Sequence, residues 1–198
     1  MHLNAYKCSF GFSSGKFLGY VVTHCEIKVD PNQIRVINNL QPLRKLIRMT
    51  TALNRFISRS VDRYRPFFQL LHKWKGFERT KECGSAFQQL KEYLSWPPIM
   101  SKPENEEVLF AYIAVASHVV SLVLVRIDDR VQRPVYYMSK SLHEAEVRDL
   151  PLEKTILVVV HATRKLPHYF QAHTIVILTQ LPLQSLHQKA NYIGRIAK

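Results

Sequence analysis

The spacing of apolar residues changes near the middle of the chain. Residues 7–29 predict short strands, and from about residue 30 to residue 95 apolar side chains recur mainly every three or four positions, as in amphipathic helices. Beyond that, residues 108–116, 119–126 and 131–139 predict strands, with a hairpin turn at Asp128-Asp129-Arg130. A helix that begins at Pro151 is apolar nearly all round and is expected to be buried. With a fourth strand at 174–179 and a last helix that begins at Pro182, this order of elements predicts an α/β fold.

Shorter elements are predicted in the first hundred residues. Residues 16–22 form a β-rich run, which the turn residues Ser13-Ser14-Gly15 would introduce. Asp30-Pro31 is typical of a helix start, with Asp as N-cap and Pro as the first helical residue. A short helix is expected around residues 67–71. Another would be capped by Thr80, end before Pro97-Pro98 and bury Phe87, Leu90 and Leu94.

The segment from Lys45 to Arg59 has the most regular helical pattern of the first half. At roughly 100° per residue, five apolar side chains share one face: Leu46, Met49, Leu53, Phe56 and Ile57. Four cations fall within an adjoining arc of about 80° by the same projection, namely Lys45, Arg48, Arg55 and Arg59. Such a row suits a phosphate backbone, and a merely solvated helix face would also carry it. The basic residues Arg63 and Arg65 that follow favour nucleic acid.

The formal net charge of +13 is concentrated in the first half of the chain. Residues 1–103 contain 17 Lys and Arg against 6 Asp and Glu, whereas residues 104–198 contain 11 against 9. Neutralisation of phosphates by several basic side chains is the main source of sequence-independent affinity for nucleic acid. The charge therefore predicts a polyanionic partner for the first half, with a solubilising surface as the alternative.

The spacing of the cysteines and the hydropathy of the chain argue against several classes of protein. Cys8, Cys25 and Cys83 are widely spaced without a C-x-x-C pair, which argues against a disulfide framework or a zinc site. The longest uncharged apolar run, near residues 119–125, is too short to cross a bilayer. The first residues also lack the apolar core of a signal peptide. We expect an intracellular protein without a membrane partner, a resident metal or a cofactor, and nothing indicates a small-molecule substrate.

Long strings along the chain resemble the polymerase polyprotein of plant gypsy-type LTR retrotransposons, in which an RNase H-like domain follows the reverse transcriptase. In the first half the matching strings are KCSFGFSSGKFLGYVV, VDPNQI, ALNRFISRS and PFFQLL. In the second half they are ECGSAFQQLKEYLSWPPIMSKP, PVYYMSKSL, HYFQAHTI and GRIAK. They occur in the order of the family, so the resemblance is specific.

The resemblance implies three regions. Residues 1–29 would be the tail of the reverse transcriptase palm, and 30–75 the thumb or connection region, which contacts primer–template duplex in the family. Residues 76–198 would be an RNase H-like domain, a mixed sheet flanked by helices, truncated at its end. The predicted nucleic-acid-binding residues are then Lys45, Arg48, Arg55, Arg59, Arg63 and Arg65, whose phosphate contacts would position a duplex without reading its sequence.

The same resemblance implies that the metal-binding carboxylates of the family are missing. The Tyr-x-Asp-Asp turn of the polymerase lies upstream of the KC-x-F strand in relatives, and Asp128-Asp129 has the context of a solvated turn instead. RNase H cleavage needs two Mg²⁺ ions held by Asp and Glu, but the matching positions here are Val115, Thr155 and Gln180. Glu153 lies about 200° round the helix from Thr155 and cannot substitute for the lost Glu.

We therefore expect a catalytically inactive fragment of a retrotransposon reverse transcriptase/RNase H polyprotein. The alternative is a module that retains sequence-independent binding of an RNA/DNA duplex through its basic first half. An active nuclease is the least favoured interpretation, because Val, Thr and Gln offer almost no charge to Mg²⁺, an ion that sheds its water reluctantly.

Overall fold

The computed structural model describes residues 13–17, 19–39, 53–72 and 81–179. In the first part of the chain, three strands form an antiparallel meander: β1 (Ser14–Phe17), β2 (Tyr20–Thr23) and β3 (Glu26–Val29). A two-residue strand much later in the chain, β4 (Met100–Ser101), pairs with β3 and completes a four-stranded sheet.

Three helices and a 3₁₀ helix accompany this sheet: α1 (Pro31–Asn39), the 3₁₀ helix (Asn54–Phe56), α2 (Ser60–His72) and α3 (Lys81–Ser95). The predicted start of α1 is confirmed, because Asp30 Oδ1 accepts a hydrogen bond from the backbone N–H of Asn32 at 3.0 Å. The helix predicted to bury Phe87, Leu90 and Leu94 is also confirmed; it ends at Ser95, before Pro97-Pro98.

The second part of the chain is a mixed four-stranded sheet covered by helices. Its strands are β5 (Leu109–Val115), β6 (Val119–Asp128), β7 (Val131–Ser141) and β8 (Ile175–Leu178). The order is β7-β6-β5-β8, with β8 parallel to β5 and the other pairs antiparallel. Helices α4 (Glu144–Val147), α5 (Pro151–Lys165) and α6 (Pro167–Ala172) lie between β7 and β8 in sequence. This arrangement confirms the predicted α/β class.

Two hydrophobic cores hold the described residues together. The first gathers Val29, Ile37, Phe56 and Phe67 with side chains of α3 and with Met100. The second lies between the mixed sheet and α5, around Leu109, Leu124, Val158 and Ala162. Helix α3 and β4 therefore pack with the first part of the chain. The predicted region boundaries at residues 29/30 and 75/76 stay predictions.

Two elements differ from the sequence-based expectation. The turn predicted at Ser13-Ser14-Gly15 is misplaced, because Ser14 and Gly15 already belong to β1. The chain reverses at Gly19 instead, whose φ of +86° only glycine adopts readily, and the run of β-forming residues at 16–22 conceals this turn. Helix α5 begins at Pro151 as predicted, but the expectation that it is buried all round is wrong. Thr155 and Val158 are fully buried, whereas Val160 is 40% exposed, because the sheet covers only one side of the helix.

The predicted helix from Lys45 to Arg59 is wrong in its last residues. Leu53 begins a turn, residues 54–56 are 3₁₀-helical, Ile57 is extended and Arg59 has a φ of +51°. Leu53, Phe56 and Ile57 are all buried in the first core, with exposures of 2%, 0% and 1%. Their i, i+3, i+4 spacing predicts an α-helix, but a tight turn buries the same three side chains, so packing decides the conformation.

Some predictions fall outside the described residues. They are the first part of the Lys45–Arg59 helix, the N-cap at Thr80, Gln180 and the helix expected from Pro182. Within the described ranges, no helix is both long and apolar enough to cross a membrane.

Candidate functional site

A cleft of about 970 Å³ opens at one edge of the mixed sheet. Because β5 and β8 are parallel, both strands finish at this edge, at Val115 and Leu178. The first turn of α5 closes the cleft from one side with Pro151 and Lys154. The fold therefore places the position of one predicted lost carboxylate, Val115, in this cleft.

Thr155, the position of the second, is not among the residues that line this cleft. Its side chain has no exposed surface, and its Oγ1 donates a hydrogen bond of 2.9 Å to the carbonyl oxygen of Pro151 one turn earlier in α5. The hydroxyl is thus satisfied within its own helix. Gln180 follows the end of the described residues, so only the first two of the three positions can be placed.

The polar group that the structure adds to this cleft is Lys154. Its side chain lines the cleft although the residue is only 7% exposed, and its ammonium donates a hydrogen bond of 3.3 Å to the carbonyl oxygen of Ser117. Among the described residues, no carboxylate forms an ion pair with it. The cleft therefore presents a positive charge.

Lys154 is not among the site residues predicted from the sequence. A signal was nevertheless present, because Lys154, Val158 and Ala162 are spaced by four residues and lie on one face of α5. Val158 and Ala162 are completely buried. A lysine in register with two core residues is therefore a candidate for burial.

The nearby acids of α4 and α5 are engaged elsewhere. Glu153 Oε2 accepts a hydrogen bond from the backbone N–H of Leu150 at 2.8 Å. Glu146 bonds the Lys140 ammonium at 2.6 and 2.7 Å and also caps α4 through the N–H of His143. Burial alone would raise the pKa of the Glu146 carboxyl, but these hydrogen bonds and the Lys140 charge lower it overall.

This donor set does not fit the Mg²⁺ ions that the family resemblance implies. Mg²⁺ takes oxygen ligands and is usually held by one or two carboxylates, whereas the cleft offers an ammonium, backbone groups and mostly apolar side chains. Over the described ranges, three or more His, Cys, Asp or Glu side chains are nowhere grouped so as to hold a metal ion.

The predicted nucleic-acid-binding residues have unequal surroundings. Lys45 and Arg48 lie outside the described residues. The guanidinium of Arg55 is inserted among aromatic rings, with its Cζ 5.2 Å from the ring centre of Tyr136, 6.0 Å from that of Tyr20 and 5.8 Å from that of Phe56. Its Nε is buried without a hydrogen-bond partner. Arg55 therefore connects β2 to β7.

Arg63 also contacts the protein itself. Its guanidinium lies 4.2 Å from the ring centre of Tyr93, and its Nε donates to the carbonyl oxygen of Ser58 at 3.2 Å. The hydroxyl of Tyr93 donates to the carbonyl oxygen of Phe56 at 3.0 Å and accepts from the N–H of Ser58 at 3.2 Å. Arg63 and Tyr93 together fix the turn that replaces the predicted helix end.

Arg59 and Arg65 remain exposed. The side chain of Arg59 is 62% exposed and its Nε bonds Asp62 at 2.9 Å; at this exposure the pair adds little stability. Arg59 also lines a smaller cleft of about 190 Å³ that shares Tyr112, Ile113 and Ala114 with the cleft containing Lys154. An exposed cation and a buried one thus flank the same stretch of β5.

Comparisons with known proteins agree with this architecture. Residues 80–177 match the family described as the RNase H-like domain found in reverse transcriptase. Over 189 residues, 91% of the chain, the sequence is 28% identical to the retrovirus-related Pol polyprotein from transposon 297 of Drosophila melanogaster. Over 201 residues, 98% of the chain, it is 25% identical to the transposon Tf2-3 polyprotein of Schizosaccharomyces pombe. The chain spans only 18% and 15% of these two curated relatives.

Solved structures show the same fold. The foamy viral protease-reverse transcriptase in complex with an RNA/DNA hybrid matches with a TM-score of 0.74 at 17% identity, covering 90% of this chain and 25% of that one. The complex of the foamy viral protein with dsDNA matches with a TM-score of 0.72 at 16% identity, covering 90% of this chain and 39% of that one. These matches support the fold and extend it over both parts of the chain.

Proposed function

Since residues 80–177 belong to the RNase H-like domains found in reverse transcriptases, we propose that this region of a retrotransposon polyprotein is a non-catalytic one. It would serve the polyprotein through its fold and its surface rather than by hydrolysis. The gypsy-type subtype indicated by the sequence is part of the proposal.

One observation carries the proposal: a buried ammonium stands beside the position where a nuclease of this fold would need carboxylates. Lys154 is 7% exposed and lines the cleft together with Val115. The repulsion between an ammonium and a divalent cation grows as water is excluded from around them. The cleft therefore disfavours a pair of Mg²⁺ ions for two reasons: none of its described lining residues is an anion, and one of them is a cation.

The test is metal-dependent cleavage of an end-labelled RNA/DNA hybrid by the purified chain, with an active ribonuclease H as positive control. We expect no cleavage above the buffer blank in Mg²⁺ or in Mn²⁺. Cleavage by the chain that disappears in E153Q or E146Q would contradict the proposal, because it would show that neighbouring acids have rebuilt a metal site. Cleavage that both variants retain at full rate would point to a contaminating nuclease, which repurification would remove.

A second candidate function is sequence-independent binding of a nucleic-acid duplex. It is supported by the excess of basic residues before residue 104 and by the exposed Arg59 and Arg65. The matching structures of the foamy viral protein, which contain dsDNA or an RNA/DNA hybrid, favour it as well. Arg55 and Arg63 would support this surface from within rather than touch phosphates. Lys45 and Arg48 stay proposed contacts from the sequence.

Fluorescence anisotropy of a labelled RNA/DNA hybrid tests this candidate as salt is varied. We expect R59E and R65E each to weaken binding and to make the dependence of log K on log salt less steep, since each phosphate neutralised on B-DNA adds about 0.9 to that slope. R148E is the matched control, since Arg148 is an exposed arginine in the second half of the chain. If all three variants lost the same affinity, the effect would be one of net charge alone. If the wild type did not bind the hybrid at about 50 mM salt, the candidate function would be contradicted.

A further inference from the structure

The charge of Lys154 lacks a counter-charge in the described structure. The residue is 7% exposed, and the hydrogen bond from its ammonium to the carbonyl oxygen of Ser117 is long at 3.3 Å. A lysine this deeply buried is normally paired, because removing an ammonium from water costs several kcal/mol. One carbonyl oxygen leaves two of its three N–H donors to be satisfied.

The surroundings of Lys154 favour an anion as that partner. Of the cleft-lining residues described, none is acidic, and the other polar side chains are those of Tyr112, Ser117 and Thr179. The cleft of about 970 Å³ is far larger than one water molecule and has room for a phosphate group with its substituents. A positive charge in a partly desolvated cleft attracts anions more strongly than the same charge on an open surface.

We propose that the Lys154 cleft is a phosphate-binding site, in which the ammonium takes the place that bound metal ions would have beside a nucleic-acid backbone. The inference rests on the proposed binding of a duplex, and it assigns one contact of that binding to the Lys154 ammonium and a backbone phosphate. The excess of basic residues in the first half of the chain supports a nucleic-acid backbone as the source of the phosphate.

Replacement of Lys154 by Met tests the proposal with little risk to folding. Methionine retains an apolar stem of similar length, and exchange of a buried charge for an apolar group is often neutral or stabilising. K165M is the matched control: Lys165 is an exposed lysine at the other end of the same helix. Both variants remove one positive charge, so an effect of net charge alone would be the same in both.

Hybrid binding is measured by anisotropy across a salt series for the wild type and both variants, with circular dichroism to confirm folding. We expect K154M to bind roughly tenfold more weakly, as for removal of a charge-assisted hydrogen bond, and its salt slope to fall by about 0.9. K165M should stay within about twofold of the wild type. If K154M and K165M behave alike while the wild type binds, the Lys154 site is overturned and the duplex-binding surface stands.

Inorganic phosphate separates this site from the duplex-binding function. At equal ionic strength, phosphate should raise the melting temperature of the wild type above its value in chloride, and K154M should lose most of that rise. If phosphate raised the melting temperature of the wild type but not of K154M, and the hybrid did not bind, the site would be one for free phosphate. That result would refute the nucleic-acid backbone as the source of the phosphate. Absence of both hybrid binding and a phosphate effect in the wild type would overturn the proposal. If K154M failed to fold, K154Q would replace it in both measurements, because phosphate also stabilises folded proteins without binding at a site.

Discussion

Replacement of Arg55 by Met should remove one specific contact between the two sheets of the molecule. Arg55 lies between Tyr20 of β2 and Tyr136 of β7, with its Cζ 6.0 Å and 5.2 Å from the two ring centres. These rings belong to the first and the second sheet respectively. Burial raises the pKa of both tyrosine hydroxyls, while the charge of Arg55 opposes the rise, so the guanidinium acts electrostatically on both.

The net effect of R55M on stability is expected to be small even though the contact is specific. A cation–π contact contributes about 0.5–1 kcal/mol when exposed and about 2 kcal/mol when desolvated. Against this, the Nε of Arg55 is buried without a partner, and such a group costs about 1–3 kcal/mol. The two magnitudes overlap, so we expect the unfolding free energy of R55M to lie within about 1 kcal/mol of the wild type.

A double-mutant cycle isolates the contact from this compensation. Urea unfolding of the wild type, R55M, Y136L and the double variant should give a coupling energy of about 1 kcal/mol between Arg55 and Tyr136. R65M with Y136L is the matched cycle, because Arg65 is exposed on α2, and its coupling should be near zero. A coupling below about 0.3 kcal/mol for Arg55 would refute the assignment of its guanidinium to the rings. If R55M bound the hybrid with a less steep dependence of log K on log salt than the wild type, Arg55 would be a phosphate contact after all.

Three further substitutions probe other contacts of the described structure. E146Q should lower the free energy of unfolding by about 1 kcal/mol at pH 7, because it weakens the pair with Lys140. The folded-state pKa of Glu146 is lowered from 4.5, so this cost should shrink as the pH falls below 4.5. Urea titrations at several pH values measure the change. G19A should destabilise by at least about 1 kcal/mol, since φ is +86° there, whereas G15A, with open space around its Cβ, should change the melting temperature little. R126M should speed Glu-specific proteolysis of the loop at residues 104–107, because Arg126 bonds two of its glutamates at 3.0 and 3.2 Å.

Each of these expectations has a contrary result. A cost of E146Q that is constant from pH 7 to pH 3 would show that the charge of Glu146 is irrelevant to its role. Equal melting temperatures for G19A and G15A would mean that the turn does not depend on the positive φ of Gly19. Unchanged cleavage at the 104–107 loop in R126M, with global stability as the control, would show that other contacts hold the loop in place.

Much of the fold could be predicted because its elements carry local signals. The strands and the hairpin of the mixed sheet follow from alternating apolar residues and from Asp128-Asp129-Arg130, and both Asp129 and Arg130 adopt the positive φ that such a turn needs. The start of α1 at Asp30-Pro31 is equally local. The reversal at Gly19 and the 3₁₀ turn near Phe56 were missed, since one glycine within a β-rich run and an i, i+3, i+4 pattern each fit two conformations.

The sequence alone determined which chemical groups the protein possesses: a basic first half, and Val115, Thr155 and Gln180 where the family resemblance implies acids. Only the tertiary structure decided where those groups lie, placing Lys154 inside the cleft, Arg55 between two tyrosines, and Arg59 and Arg65 in solvent. Side-chain identity is a local property that can be read residue by residue. Burial and the partner of a charge depend on segments distant in the chain, so the same cation can bind phosphate on an open surface or hold two sheets together in the interior.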